Sequence, residues 1–495
     1  MATTTQPVPA QRSHEWLLKA LAILVVAPFA AWLGYNLPIS GPLFVTQVAL
    51  GAVAVVVLGY LSLDRFEWFI WVVLLTRPIL DLTKAEPGPE VTSGSGRLAT
   101  LMGVALIVAG PIWLAGVSRQ GRRLPFGAIS RALLLLTATS LISILMSTMP
   151  IASALQVART AGAVMVFVVL EQLLRSRRIA MQALVVCALS AVFPLIVGLV
   201  QLVTGSGFAD EGLNRITGSF LHPNTFGFYL VMVLLMGYPM RRWVSRRARW
   251  LLDALLVVSL VELIFTYSRG GWIVLVVGLL VVAALADRRL LLALPAAAAA
   301  GYLFLPNVVA RLADLGTPDT LGGRAGNSAT WRVAHVGDLL SDGLTIFGIG
   351  PKMSDYLTGK APHNDAARML VENGLVGLVL YLAFLLALVL LARRALRRLR
   401  GGFDRALAVG FTATVAAFLF DSMGANLITQ FVLLIYVLAL AAIVQTWVAT
   451  ATPASTDSVR PDPVACRAGT ESRAHQPVLV HSGASTAERS VHGDP

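Results

Sequence analysis

Apolar runs of about 18 residues or more recur along the chain, separated by short polar loops, and runs of that length read as membrane-spanning helices. The pattern predicts spans at 16–36, 42–62, 66–82, 98–117, 130–149, 152–174 and 179–203. It continues with 222–240, 250–267, 270–286, 288–306, 367–392, 404–422 and 427–449. The expected fold is an all-α polytopic membrane protein of about 12–14 transmembrane helices. A short N-terminal tail, 1–15, precedes a transmembrane domain at 16–449. Two loops on one side are long: 204–221 and 307–366. The second holds helical-looking stretches and the turn "FGIGPKMS", so it is expected to be folded. The tail 450–495 is rich in Pro, Ser, Thr and charge and is expected to be disordered.

Composition agrees with this pattern. The chain is 57% hydrophobic and 13% charged, whereas soluble domains are about 25% charged. Its net charge of +13 does not signal nucleic-acid binding. The arginines cluster in alternate loops: Arg119, Arg122 and Arg123; Arg175, Arg177 and Arg178; Arg241, Arg242, Arg246, Arg247 and Arg249; Arg288 and Arg289; and Arg393 to Arg400. The positive-inside rule makes these loops cytoplasmic and puts both termini inside. Residues 16–36 are then the first span and not a cleaved signal. The two cysteines, Cys187 and Cys466, cannot build a disulfide framework or a metal site.

On the opposite, extracytoplasmic side the polar side chains form a short list: Arg215, Arg269, Arg324, Arg332, His335, His363 and Asn364. Arg269 lies in "TYSRGGW", beside two glycines. Guanidinium forks match phosphate oxygens, and glycines admit a close backbone approach. The plainer readings are an arginine snorkelling to the interface or paired with Glu262. Arg215 read by itself is an exposed loop arginine. His222, Pro223 and Asn224 read as the opening of a helix. His363 is a proton acceptor at the mouth of a span, or an interfacial histidine without a role. Asn364 reads as the cap of the following helix. Glu262 and Asp421 are acids within or at the end of spans, where ionisable groups are functional candidates. The loop around "NLPISG" has no Asp or Glu, and no His/Cys/Asp cluster suggests a metal.

Four stretches, in order, resemble the O-antigen ligase and O-antigen polymerase superfamily of bacterial envelopes. They are "RITGSFLHPNTFGFYLV", "FTYSRGGWIVLVVGLL", "SATWRVAHVGDLLSDGLTIFGIGP" and "HNDAARMLVENGLVG". The last fits the ligase pattern of His-Asn, nine residues, Gly, two residues, Gly: His363, Asn364, Gly374 and Gly377. The resemblance covers roughly residues 200–390. It implies a membrane glycosyltransferase fold of the GT-C-like type, with a donor glycan on undecaprenyl diphosphate and a lipid or polysaccharide acceptor. It implies that Arg215, Arg269 and Arg332 grip the diphosphate and that His363 acts on the acceptor hydroxyl. Asn364, Asn224, Gly374 and Gly377 would support them. No cofactor and no nucleic acid are implied. A polymerase of the same superfamily stays open beside the ligase. A transporter is the rival from another class, with the acid Glu262 as its natural centre.

Overall fold

The computed structural model describes residues 58–80, 97–210, 213–304, 308–309, 334–339, 345–359 and 361–451. The expected N-terminal tail 1–15, the span 16–36, most of the span 42–62, most of the loop 307–366 and the tail from 452 lie outside the described residues. The chain divides after Ala451, and all described residues belong to the first unit.

The described residues are mostly helical. In chain order the helices are α1 (Phe66–Thr76), α2 (Arg97–Arg119), α3 (Ala128–Ser143), α4 (Pro150–Leu173), α5 (Arg177–Leu189), α6 (Val192–Thr204) and α7 (Pro223–Met240). They continue with α8 (Arg246–Phe265), α9 (Arg269–Leu285), α10 (Leu290–Phe304), α11 (Met353–Thr358), α12 (Asp365–Arg398), α13 (Gly402–Asp421) and α14 (Phe431–Ala449). One small antiparallel hairpin, β1 (Phe208–Asp210) and β2 (Leu213–Arg215), pairs Phe208 with Arg215. Among the described residues seven helical segments are long and apolar enough to cross a membrane, and three shorter apolar helices accompany them. The chain is an all-α polytopic membrane protein.

Two expected spans differ in detail. The span expected at 66–82 is a helix only over Phe66–Thr76. Pro78 follows directly on the capping Arg77 and has no N–H to continue the helix. The span expected at 179–203 is two segments, α5 and α6, meeting at Ser190–Ala191. Pro194 cannot donate to the carbonyl of Ser190, which interrupts the ladder there. The Ser190 hydroxyl meets the Tyr229 hydroxyl at 2.8 Å and ties this joint to α7.

α14 is apolar on every side and almost wholly buried, as such a helix should be when it forms the centre of a bundle. It packs on α4, α5 and α12. In lipid the hydrophobic effect does not drive helices together, so close packing of small residues must. The α2–α4 crossing shows this: a Cβ on Gly162 would come within 2.5 Å of the Gly103 Cα.

The feature that positions the site is a break in α12. Its 34 residues would span about 50 Å at the usual rise, beyond a hydrocarbon core of about 30 Å. At Gly374 the backbone leaves the helix, with φ 70° and ψ −167°. The irregular segment 345–350 fills the gap. Ile349 N–H donates to the Val371 carbonyl at 3.0 Å and Gly350 N–H to the Glu372 carbonyl at 3.1 Å. Beyond the break, Leu375 N–H donates to the Thr345 carbonyl at 3.0 Å and Val376 N–H to the Ile346 carbonyl at 3.3 Å. The loop thus satisfies groups on both sides of the break, a requirement for irregular backbone at membrane depth. The two strings of backbone lie too close for side chains. A Cβ on Gly374 would stand 2.2 Å from the Ile346 oxygen, and one on Gly348 would stand 2.3 Å from the Glu372 carbonyl. The same loop is pinned to the α3–α4 corner, where the Ser143 hydroxyl donates to the Phe347 carbonyl and the Ser153 hydroxyl to the Pro351 carbonyl.

Gly374→Ala and Gly348→Ala each force a side chain into positive φ, at about 1–3 kcal/mol, and into backbone. Each is expected to lower the melting temperature of the detergent-purified protein by several degrees. Gly116→Ala, in α2 with open space around its Cβ position, is expected to be neutral or to stabilise by about 0.5–1 kcal/mol. Unchanged melting in both loop-facing variants would show that the fold does not depend on the seal.

Candidate functional site

The hairpin carries Arg215 to the turn between α8 and α9. Its Nε donates to the Thr266 carbonyl at 2.9 Å and one terminal nitrogen to Asn224 Oδ1 at 2.9 Å. Ile216 N–H donates to the Phe265 carbonyl at 3.2 Å. Arg215 is buried, 5% exposed, so it is not the exposed loop residue that its local sequence suggests. Asn224 serves it from the first turn of α7. His222 is the N-cap of α7, its Nδ1 accepting from Asn224 N–H at 3.1 Å, with Pro223 in the first turn. That is the helix-opening role expected of it.

Three residues after Thr266, Arg269 begins α9. Ser268 caps the helix by accepting from Gly271 N–H at 3.2 Å. Arg269 is half-buried, and Tyr267 just before it holds a left-handed backbone, φ 48°. A Cβ on Gly270 would lie 3.8 Å from Asp421 Oδ1. The serine–arginine–glycine turn therefore rests against the C-terminal end of α13.

The same end of α13 holds the His-Asn motif. Asp365 N–H donates to the Ser422 carbonyl at 2.9 Å, and Asn364 Nδ2 donates to the Met423 carbonyl at 3.2 Å. Asn364 Oδ1 accepts from Ala367 N–H at 2.9 Å, the N-cap expected for α12. His363 is half-buried and left-handed, φ 51°. Histidine is among the residues that tolerate this region, yet a non-glycine there costs of order 1–3 kcal/mol and concentrates at functional sites. A run of adjoining segments leads from Arg215 through the 266–270 turn and the 421–423 turn to Asn364, next to His363. All of these lie at one end of the bundle. Arg332 and Arg324 lie outside the described residues. His335 is buried at 6% exposure, with Nε2 3.3 Å from the Thr358 hydroxyl. Gly374 and Gly377 lie in and after the α12 break; a Cβ on Gly377 would stand 2.2 Å from the Asn373 Cβ.

Next to the His-Asn motif is a polar network that sequence reasoning did not single out. Asp365, fully buried, accepts on Oδ2 from Leu427 N–H at 3.0 Å and Ile428 N–H at 3.1 Å. Arg368, 3% exposed, donates to Glu372 at 2.9 Å, to Asp355 and to Asn426 Oδ1 at 3.2 Å. Glu372 also accepts from the Ser354 hydroxyl. The signal was present in "HNDAARMLVEN": Asp365, Arg368 and Glu372 recur at helical i, i+3 and i+4 spacing before the apolar run. Lys352, left-handed at φ 69°, joins the cluster. Burial pushes its ammonium below the ordinary lysine range; Asp355 opposes this, and the cations Arg159 and Arg368 add to it.

Among the described residues Glu262 is not paired with an arginine. It is fully buried against Gly198 of α6, whose Cβ position lies 2.5 Å from Oε2. Neither carboxyl oxygen has a hydrogen-bond partner among the described residues. The expected Arg269–Glu262 pair is absent because Glu262 faces α6, one helical turn below the 266–270 turn.

No curated protein sequence matches the chain. The family model for O-antigen ligase matches residues 254–382. The match begins in α8, includes the Arg269 turn, the 345–350 seal and the His363–Asn364 motif, and ends in α12 beyond Gly377. That family is one of membrane glycosyltransferase-type enzymes acting on lipid-linked glycans. Within a multi-pass membrane protein, then, residues 254–382 match the O-antigen ligase family model.

Proposed function

We propose that the protein is a ligase-type glycosyltransferase. It moves a glycan from undecaprenyl diphosphate to an acceptor hydroxyl at the outer face of the cytoplasmic membrane. The observation that carries this reading is the run of adjoining segments linking Arg215, the Arg269 turn, the α13 end and the His-Asn motif at one end of the bundle. A donor of this kind keeps its lipid in the bilayer and its sugar outside, so its diphosphate lies at that boundary. The Arg-rich loops at the other end of the bundle support an extracytoplasmic position for His363.

In the proposed reaction Arg215 and Arg269, with Arg332, hold the diphosphate. As the bond from the anomeric carbon to the diphosphate oxygen breaks, negative charge grows on that oxygen. Fixed guanidinium groups stabilise it without the cost of reorienting water. The acceptor hydroxyl attacks the anomeric carbon from the opposite face, and its proton passes to the His363 imidazole. Undecaprenyl diphosphate departs, and the anomeric configuration inverts. The seal at Gly374 and the Asn364 cap hold His363 at the bilayer boundary. The left-handed backbone at His363 fixes the direction in which the imidazole leaves the chain. The proposed site uses no metal.

The test is transfer by purified protein from an undecaprenyl-diphosphate oligosaccharide to an envelope extract, in the presence of EDTA, with products separated by size. A single added chain is expected; a ladder of lengths would assign a polymerase. His363→Ala is expected to lose about 10²–10⁴-fold in rate, and Arg269→Ala about 10²–10³-fold. Glu262→Gln is expected to keep most of the activity. Full activity in His363→Ala would remove the histidine from the chemistry, and absence of both transfer and donor binding in wild type would overturn the enzyme reading in favour of a transporter.

Asn364 separates cap from chemistry. Asn364→Asp retains the capping oxygen but sets a second oxygen against the Met423 carbonyl in place of the Nδ2 donor, so it is expected to recover only part of the stability that the alanine variant loses. Asn364→Ala is expected to lose about 0.5–2 kcal/mol in thermal or denaturant unfolding. Equal stability of the two variants would remove the cap from the account of how His363 is positioned.

A further inference from the structure

At the opposite end of α7, α9 and α13 from His363 lies a pocket of about 330 Å³. It is in the lower part of the range of about 300–1,000 Å³ usual for small-molecule sites. Arg242, Arg400 and Arg405 line it, and Asp287 is the one acid among its lining residues. Three cations against one carboxylate leave a net charge of +2 on the lining. Asp287 is itself in use. It accepts from the Tyr238 hydroxyl at 3.1 Å and from Arg242 at 3.0 Å. The nearby acid Asp404 is turned away to Arg177 at 2.8 Å and to the Trp447 indole at 3.0 Å.

Arg400 and Arg405 have no carboxylate partner among the described residues. Each is steadied by the backbone instead. Arg400 Nε donates to the Arg397 carbonyl at 2.9 Å, and Arg405 donates through one terminal nitrogen to the Leu396 carbonyl at 2.9 Å. Their other N–H groups form a preorganised set of donors of the kind that suits phosphate oxygens. The rest of the lining is apolar: Pro239 from α7, Val282 and Leu285 from α9, and Ala406 and Val409 from α13. Trp243 stands at the rim, 56% exposed and 3.6 Å from the Cβ position of Gly402. An amphipathic ring at a helix end marks the level of lipid headgroups.

We infer that this pocket binds the phosphate-bearing headgroup of an anionic phospholipid from the adjacent leaflet. Arg400 and Arg405 hold the phosphate, and the apolar wall of α9 and α13 receives the start of an acyl chain. A basic recess between spans on the arginine-rich face is the physical form such lipid sites take. A free phosphate or a phosphate monoester would satisfy the guanidinium groups but leave the apolar wall unused, and for that reason the lipid is preferred. The lipid would brace α7, α9 and α13 against one another at the end remote from the chemistry.

The test uses the full-length protein in mixed micelles holding equal phosphatidylglycerol and phosphatidylcholine, with bound lipid read by native mass spectrometry. Wild type is expected to retain phosphatidylglycerol selectively. The double variant Arg400→Gln/Arg405→Gln is expected to bind it about thirtyfold more weakly. It keeps the Arg242–Asp287 pair, so the helix ends stay linked. Arg246→Gln/Arg247→Gln, on the same face outside the pocket, is expected to bind as wild type does. Equal loss in that control would mean diffuse surface charge and would overturn the site. Equal retention of both lipids by wild type would overturn it too. Displacement of the lipid by millimolar inorganic phosphate would make the occupant a soluble phosphate, which rejects the lipid assignment. The readout is independent of glycan transfer, so it stands or falls apart from the proposed reaction.

Discussion

The backbone seal between residues 345–350 and the gap in α12 is the constraint on which the His363 end of the molecule depends. A helix interrupted at membrane depth leaves carbonyls on one side and N–H groups on the other without partners, and each is costly in a medium without water. The loop supplies both kinds of partner in one short stretch, through four hydrogen bonds of 3.0–3.3 Å. Because Gly348 and Gly374 meet backbone against backbone, the loop and the helix specify each other. His363 and Asn364 start the helical segment that the seal terminates. The long loop and the His-Asn motif are therefore one structural unit, although the turn and the histidine are separated in sequence.

The second constraint is charge. A chain this apolar holds Asp365, Arg368 and Glu372 at 3% exposure or less, directly beside the motif. Burying such groups is tolerable only when they are mutually bonded. Arg368 meets this condition by bridging α12 to Asp355 of α11 and to Asn426 before α14. The network thereby joins three separate segments around His363. Glu262 is the opposite case, a fully buried carboxyl with no hydrogen-bond partner among the described residues, packed on the glycine of a neighbouring helix. It lies one turn below the Thr266 carbonyl that receives Arg215. A carboxyl so placed holds no arginine among the described residues, and the proposed chemistry does not use it.

The two ends of the bundle carry different chemistry on the same helices. α7, α9 and α13 each contribute at one end to the Arg215–Arg269–His363 region. At the other end they contribute to the basic pocket that we assign to a lipid headgroup. A rigid span transmits the position of one end to the other, so lipid at the pocket would hold the frame in which the His363 end is set.

Hydropathy alone determined the class of this protein, because a helix in lipid must be apolar over a fixed length and every span announces itself locally. Local spacing was also enough for the caps. Asn364 and His222 act within three residues of themselves, and Pro223 opens α7 as its chemistry requires. Span boundaries were legible only in part: the break at Ser190 occurs inside a run that stays largely apolar, and the one at Gly374 follows Glu372 and Asn373 within a helix that continues on both sides. Arg215 shows where sequence stops: by itself it is a loop arginine, and only the hairpin and the 266–270 turn bury it. The pairing of Gly348 with Gly374, the bridge from Arg368 to Asp355 and Asn426, and the orientation of Glu262 toward α6 were likewise decided by the tertiary structure. Each depends on which elements, distant in sequence, pack side by side, and hydrophobic periodicity records only that a face is buried, not what covers it.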